Sequence, residues 1–143
     1  EYARSKGLRP TLSTNGTLIN RETAQRIKDV GVTYVGISLD GLAEVNDRFR
    51  GKAGACEQAV AGIRNCVAVG QRVGLRFTIN RHNFAQLDNI FDFIEREEID
   101  RVCFYHLVYS GRGANMKSED ISPAESRQAM DIPPRPEKGD PHR

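Results

Sequence analysis

The sequence predicts an α/β fold in which about four parallel strands form an incomplete TIM-like barrel with helices outside. Three observations lead to this expectation. Strand-like and helical segments alternate along the chain, which is typical of βαβ units. The strand-like segments are apolar on one face and polar on the other, and polar residues cluster where they end. A flat sheet with helices on both faces would bury those polar groups at a cost in free energy, whereas a barrel interior keeps them accessible.

Four segments are predicted to be strands because they are rich in Val, Ile, Phe, Tyr or Thr and end near Gly, Asn or Asp. They are RPTLSTN (9–15), TYVGISLD (33–40), GLRFTIN (74–80) and RVCFYHLVY (101–109).

Helices are predicted in the three connections between these strands. The first begins after Asn20, a favourable N-cap, and stops at Gly31. The second runs from about Cys56 to Gly70, and the polar stretch before it predicts a short helix of its own. The third has apolar residues at helical spacing between residues 87 and 94.

Composition excludes several classes of protein. The chain has 143 residues, of which 38% are hydrophobic and 28% charged, and a net charge of +2, which is typical of one globular domain and predicts no nucleic-acid or membrane partner. It contains no apolar run near the roughly 20 residues of a membrane span and no leader, so a cytoplasmic location is expected. Cys56, Cys66 and Cys103 are widely spaced among apolar residues, which predicts reduced, buried thiols and no metal ligands.

The two ends of the sequence predict a fragment. The chain begins without Met, in a segment that is typical of a helix end with Gly7 as its stop. After residue 122 a weak helical stretch to Met130 leads into a Pro- and charge-rich segment. We therefore expect one partial core domain over residues 1–120, and a disordered or non-native tail over 121–143.

Three neighbouring strands should present their polar side chains on the same side. An unpaired polar group costs roughly 1 to 3 kcal/mol to bury, so adjacent polar faces must meet water, each other or a polar ligand. We therefore expect them to line a cavity at the strand ends. The polar faces carry Thr11, Ser13 and Asn15 on the first strand, Tyr34, Gly36, Ser38 and Asp40 on the second, and Arg76, Thr78 and Asn80 on the third.

Short polar motifs follow these strands. They are STNGTLI (13–19), ISLDG (37–41), NDRFRG (46–51), TINRHN (78–83) and FYHLVYSGRG (104–113). With these motifs the chain resembles the radical S-adenosylmethionine (radical SAM) superfamily, and within it the proteins of heme d1 biosynthesis and the alternative heme pathway. The resemblance implies a partial (βα)6 barrel, S-adenosyl-L-methionine as cofactor, and a 4Fe–4S cluster that reduces it to a 5′-deoxyadenosyl radical.

The resemblance also implies cofactor-binding residues. Ser13 and Asn15 would approach SAM, and Ser38 with Asp40 would meet its ribose, whose two hydroxyls a carboxylate can accept together. The amino-acid moiety would lie near Asn80 or Arg76, because a guanidinium suits its carboxylate. Turn chemistry favours the same residue types, so Asn15 can instead serve only the turn with Gly16, and Asp40 only the loop that follows it. Asp47 and Arg50 are expected to pair along a short helix.

One departure limits what this chain can do alone. It has no C-x-x-x-C-x-x-C cluster motif and no glycine-rich stretch like GGEP, so the cluster ligands are absent from it. Residues 1–143 therefore resemble core strands three to six, and we expect the full-length protein to be an enzyme and the isolated fragment to be inactive.

The resemblance implies a reaction on a siroheme-derived tetrapyrrole, namely removal of propionate side chains from didecarboxysiroheme. Its partners would be that substrate and an electron donor such as flavodoxin or ferredoxin. Alternatives remain open: another radical SAM maturase, a heme-pathway decarboxylase, a non-catalytic remnant, or a (βα)-barrel lyase or hydrolase. The last would use Asp40 and His106 as acid and base, which requires hydrogen-bond reach.

Overall fold

A single sheet of four parallel strands organises the fold, and its strands lie side by side in chain order. The computed structural model describes residues 1–132, without the side chains of residues 112 and 113. The strands are β1 (Thr11–Thr14), β2 (Tyr34–Leu39), β3 (Val73–Thr78) and β4 (Arg101–Tyr105). The helices are α1 (Tyr2–Ser5), α2 (Arg21–Asp29), α3 (Glu44–Arg50), α4 (Ala55–Ala68), α5 (Leu87–Arg96) and α6 (Pro123–Met130), with 3-10 helices at Phe84–Gln86, Gly111–Asn115 and Lys117–Glu119.

The fold predicted from the sequence is confirmed: every expected strand and helix is present, and the sheet is parallel. Asn20 begins α2 as expected, because its Oδ1 accepts a hydrogen bond of 2.8 Å from the backbone N–H of Thr23. The expectation that the fourth strand reaches residue 109 is wrong. The β3–β4 ladder ends where β3 turns away, and its last bond runs from Ile79 N–H to the carbonyl oxygen of Tyr105 at 2.9 Å.

The two faces of the sheet differ as the alternation predicts. Val35, Ile37 and Leu39 of β2 are fully buried, as are Leu75 and Phe77 of β3. Side chains on the other face of the same strands are only partly buried. The apolar face supports the main core together with α4 and α5, whose largest buried members are Ile63, Ile90 and Phe93.

Helix α4 lies so close to the loop after β1 that only glycine fits at the crossing. A Cβ atom built on Gly62 would lie 2.3 Å from the carbonyl oxygen of Gly16. Gly16 itself has a φ of +74°, in the left-handed region that favours glycine. Three residues further along α4, Asn65 Nδ2 donates a 2.8 Å hydrogen bond to the carbonyl oxygen of Ile19. The loop that leaves β1 is therefore fixed against α4.

Asp47 of α3 caps the N-terminus of α4. Its Oδ2 accepts a 2.5 Å hydrogen bond from Gly54 N–H, and its Oδ1 accepts one of 2.7 Å from Cys56 N–H. The expected Asp47–Arg50 pair is therefore wrong, because the unsatisfied N–H groups at the start of a helix bind the carboxylate instead. These hydrogen bonds lower the pKa of Asp47 below its ordinary value of 3.8, and the bond from Cys56 N–H has the largest effect.

Residues 121–132 pack on the core, although a tail was expected from residue 121. Ile121 is buried, and Ala129 and Ile132 contact the core cluster. Ser122 and Glu125 form a complete capping box at the start of α6. The remainder of the expected tail, 133–143, lies outside the described residues. Within residues 1–132, the helices are all too short or too polar to span a lipid bilayer.

Substituting Gly62 by alanine should destabilise the fold. Helix propensity alone would make Gly62→Ala stabilising by about 1 kcal/mol, but the new methyl group would meet the Gly16 carbonyl, and overpacking of this kind costs roughly 1 to 3 kcal/mol. Denaturant unfolding of the variant and its parent measures the difference. Ala61→Gly, at an exposed position of the same helix, is the control for propensity and should cost about 1 kcal/mol. A gain in stability for Gly62→Ala would contradict the close contact.

The Asp47 cap should make stability depend on pH in acid. Because the folded pKa of Asp47 is lowered, its contribution is present above the unfolded value of 3.8 and is lost as the pH falls through the folded pKa. Asp47→Asn should therefore lower the free energy of unfolding at neutral pH, and the difference from the parent should vanish in acid. Unfolding curves over a pH series test this, with Asp29→Asn at the exposed end of α2 as control. A difference that stays constant with pH would argue against the cap.

Candidate functional site

A groove lies along the carboxyl ends of the four strands, on the polar side of the sheet. It consists of two adjoining cavities of about 140 and 370 Å³ that share Ser38 and Arg50 as walls. The smaller also contains Asn15, Thr17 and Asn46. The larger also contains Asp40, Arg76, Thr78, Tyr105 and His106. We call the two together the strand-end groove.

An ion pair between Asp40 and Arg50 lies at the centre of this groove. Asp40 directly follows β2 and is 7% exposed, and the Nε of Arg50 lies 2.5 Å from its Oδ2. Burial raises the pKa of Asp40 above its ordinary value, and the charge and hydrogen bond of Arg50 offset part of that rise. Among the described residues only Arg50 donates to the carboxylate of Asp40. The second carboxylate oxygen, Oδ1, can therefore accept a hydrogen bond from a ligand.

Two buried asparagines hold the backbone of Asp40. Asn46 Oδ1 accepts a 2.9 Å hydrogen bond from Asp40 N–H, and Asn83 Nδ2 donates bonds of 2.9 and 2.8 Å to the carbonyl oxygens of Asp40 and Thr78. These bonds join the ends of β2 and β3. Sequence reasoning missed the role of both asparagines, although each lies in a motif that it singled out, NDRFRG and TINRHN.

Asn80 does not face the groove. It is fully buried, its Oδ1 accepts from His82 N–H at 2.9 Å, and its backbone N–H donates to Asn83 Oδ1 at 2.8 Å. The chain turns directly after β3, so the alternation of faces does not extend to residue 80. The side-chain amide of Asn80 therefore stabilises this turn. Of the two residues expected near the amino-acid moiety of SAM, Asn80 and Arg76, only Arg76 lines the groove.

The two predicted residues of the β1 end occupy different positions. Ser13 is exposed on the edge strand β1, opposite Gly36 in the register, and lines neither cavity. Asn15 lines the smaller cavity, and its Oδ1 accepts bonds of 3.2 and 3.0 Å from the backbone N–H and hydroxyl of Thr17. Asn15 therefore stabilises the turn, as one alternative expected, and also borders the groove.

Arg76 presents a positive charge to the larger cavity. Its guanidinium lies 4.9 Å from the ring centroid of Tyr105, a cation–π contact that orients it. It forms no ion pair with any residue in the described part of the chain. Together with the hydroxyls of Ser38 and Thr78 and the carboxylate of Asp40, it suits a ligand that has both hydroxyl groups and a carboxylate.

Asp40 and His106 line the same cavity but do not pair. The described contacts of Asp40 are those with Arg50 and the two asparagines, and His106 is exposed just beyond β4. An acid and base pair of these two residues, as a lyase or hydrolase would use, is therefore not formed in this structure.

The three cysteines lie apart and are not arranged around a common centre. Cys56 and Cys66 are buried in α4 and Cys103 is half-buried in β4, all as free thiols. Burial raises the pKa of both α4 thiols, which favours the neutral form over the thiolate that ligates metals. Residues 1–132 contain no group of three His, Cys, Asp or Glu side chains that could hold a metal ion. They therefore do not fit a 4Fe–4S cluster.

Comparison with curated proteins identifies close relatives in the heme pathway. The chain is 57% identical over 131 residues to the Fe-coproporphyrin III synthase of Methanosarcina barkeri, which covers 92% of this chain and 33% of the relative. It is 47% identical to the pre-heme d1 synthase of Dinoroseobacter shibae, over 85% of this chain and 30% of the relative. The chain thus spans about a third of the length of these proteins.

Comparison with solved structures supports the same fold. The structure of SuiB from Streptococcus suis matches with a TM-score of 0.74 at 17% identity, over 90% of this chain and 29% of that one. The structure of anSMEcpe with bound AdoMet matches with a TM-score of 0.68 at 15% identity, over 85% of this chain and 34% of that one. At these identities the likeness concerns the fold alone.

A model of the radical SAM superfamily matches residues 1–94, which contain β1, β2, β3 and the groove residues that they carry. This match, together with the identity to the Methanosarcina relative, extends the resemblance seen in the strand-end motifs to most of the chain. The chain belongs to the radical SAM superfamily.

Proposed function

We propose that this chain supplies part of the SAM-binding core of an enzyme that modifies a siroheme-derived tetrapyrrole. The observation that carries the proposal is the strand-end groove. A buried carboxylate, two hydroxyls and a guanidinium that has no ion-pair partner among residues 1–132 face one of its cavities. Radical SAM enzymes use SAM and a 4Fe–4S cluster, and SAM offers ribose hydroxyls and a carboxylate that complement these groups. When bound and reduced, SAM supplies the 5′-deoxyadenosyl radical in this superfamily.

Each groove residue has a proposed role toward SAM. Ser38 and Asp40 bind the ribose hydroxyls, because the free carboxylate oxygen of Asp40 accepts hydrogen bonds and Arg50 holds the other. Arg76 binds the carboxylate of the amino-acid moiety. Asn15 borders the open end of the groove at β1, Ser13 lies outside it on the edge strand, and Asn80 acts only by fixing the turn after β3.

We assign no described residue to the cluster, because the cysteines are dispersed and burial raises the pKa of two of them, which disfavours the thiolate that ligates metals. The described residues bind and orient SAM and substrate, and activity belongs to the full-length protein. The core domain of the proposal extends beyond the matched residues 1–94, because β4 completes the sheet and its end lines the groove.

The names of the relatives support an iron tetrapyrrole as substrate. Two reactions fit: propionate removal from didecarboxysiroheme in heme d1 biosynthesis, and a step that yields Fe-coproporphyrin III. Identity is higher to the Fe-coproporphyrin III synthase, at 57%, than to the pre-heme d1 synthase, at 47%, and favours the second reaction. A cytoplasmic location and an electron donor such as flavodoxin or ferredoxin complete the proposal.

Maturation of a peptide is the second candidate. The mycofactocin maturase MftC of Mycobacterium ulcerans is 36% identical over 90% of this chain, and SuiB has been solved with its precursor peptide. The higher identity to the heme-pathway relatives favours the tetrapyrrole.

Substitutions in the groove should weaken SAM binding in the full-length protein. Asp40→Asn loses the charged acceptor of a ribose hydrogen bond, which is worth roughly 1.5 to 3 kcal/mol, or about 10- to 150-fold in affinity. Ser38→Ala removes a neutral hydrogen bond, worth roughly 0.5 to 1.5 kcal/mol, or about 2- to 10-fold. Calorimetric titration with SAM measures the loss. Asp29→Asn, on the exposed end of α2, is the matched control. If both groove variants bind SAM like the parent, the assignment of the β2 end to the ribose is wrong.

The products should distinguish the two tetrapyrrole reactions. The full-length protein, reconstituted anaerobically and supplied with SAM and a reductant, should convert a siroheme-derived substrate to Fe-coproporphyrin III, detected by mass spectrometry. Products from didecarboxysiroheme that have lost propionate side chains would instead assign it to heme d1 biosynthesis. Cleavage of SAM to 5′-deoxyadenosine with every tetrapyrrole unchanged would count against both and favour a peptide substrate.

A further inference from the structure

A further cavity lies beside the strand-end groove, on a different face of helix α3. We call it the α3 outer cavity. It has a volume of about 340 Å³, which is within the usual range for small-molecule sites. Its lining consists of Val45, Arg48, Phe49, His82, Met116 and Glu119.

Helical spacing explains why one short helix borders both the strand-end groove and the α3 outer cavity. Asn46 and Arg50 lie four positions apart and face the strand-end groove, whereas Val45 and Phe49, also four apart, face the α3 outer cavity with Arg48. The other walls come from the segments that follow β3 and β4, which contribute His82, Met116 and Glu119. The groove and the α3 outer cavity are therefore both built at the carboxyl ends of the strands, on different sides of α3.

The lining combines an apolar surface with a free cation. Val45, Phe49 and Met116 supply aliphatic, aromatic and thioether contacts. Within the described part of the chain Arg48 forms no ion pair, since the bridges of residues 1–132 involve Arg50, Arg64, His82 and Arg96. Glu119 is already engaged by the ring of His82. The guanidinium of Arg48 thus offers the cavity a group that can bind an anion, and its planar fork suits a carboxylate.

We propose that the α3 outer cavity binds a carboxylate-bearing edge of the tetrapyrrole substrate. This inference rests on the proposed function. A tetrapyrrole has a flat apolar body with carboxylate side chains at its rim, which matches the apolar wall and the Arg48 guanidinium. The cavity holds one edge of the macrocycle. Because the cavity and the strand-end groove lie on different sides of α3, the rest of the macrocycle extends over α3 toward the groove. Arg48 is then a specificity-determining residue that recognises a side-chain carboxylate, while Arg50, two positions later, serves the SAM side.

Binding of iron-free coproporphyrin III to the full-length protein tests this assignment, because its fluorescence reports binding without turnover. Arg48→Gln should weaken porphyrin binding about 10- to 150-fold, the value of a lost charge-assisted hydrogen bond. SAM affinity, measured on the same preparation, should change less than about twofold. Phe49→Ala should weaken porphyrin binding in the same direction through the apolar wall. Arg26→Gln, an exposed arginine of α2, is the matched control and should leave both affinities unchanged.

The outcomes separate this inference from the function on which it rests. If the parent binds coproporphyrin III and both Arg48→Gln and Phe49→Ala bind it equally well, the cavity is not the subsite, and the tetrapyrrole function stands. If the parent binds SAM but no porphyrin, the tetrapyrrole function fails and the subsite with it. If Arg48→Gln weakens SAM and porphyrin binding alike, Arg48 acts on the fold of α3 and the assignment of a separate subsite is overturned.

Discussion

The carboxylate of Asp40 lies in a buried position at the end of β2, one of the two inner strands, and the segments after β2 and β3 are arranged around it. Arg50 neutralises its charge, while Asn46 and Asn83 bind its backbone. A buried charge is tolerated only when it is paired and hydrogen-bonded, so the positions of these three side chains follow from that of Asp40. Helix α3 supplies two of the three, and this fixes the short helix beside the strand ends.

The same interaction explains why stability and binding are in tension at this site. Burial makes the ionised form of Asp40 less favourable than in water, and one of its oxygens has no donor among the described residues. A hydrophobic pair of similar volume often stabilises a fold as well as a buried ion pair does. The ion pair lies in a groove beside the guanidinium of Arg76, which has no ion-pair partner among the described residues. Carboxylates with perturbed pKa values concentrate at functional sites, so this arrangement points to ligand recognition.

Local patterns predicted the elements of the fold and the polar faces, because strand alternation and helix capping depend on neighbours in sequence. They failed where the chain leaves its strand: Asn80 follows the expected alternation in the sequence but turns into the protein. They also failed where distant segments meet, since Asn83 binds a carbonyl 43 positions earlier. Asp47 was assigned to Arg50 because helical spacing allows that pair, whereas the N–H groups of α4 bind the carboxylate more favourably.

The seven residues of α3 lie between the strand-end groove and the α3 outer cavity, and both depend on the rotational phase of the helix. Each residue turns an α-helix by about 100°, so a single insertion or deletion within α3 would move Arg48 and Arg50 away from their present sides. Substitutions, in contrast, can alter one side chain without changing the phase. The two sites can therefore diverge independently through point mutations, while the length of α3 is constrained by both at once.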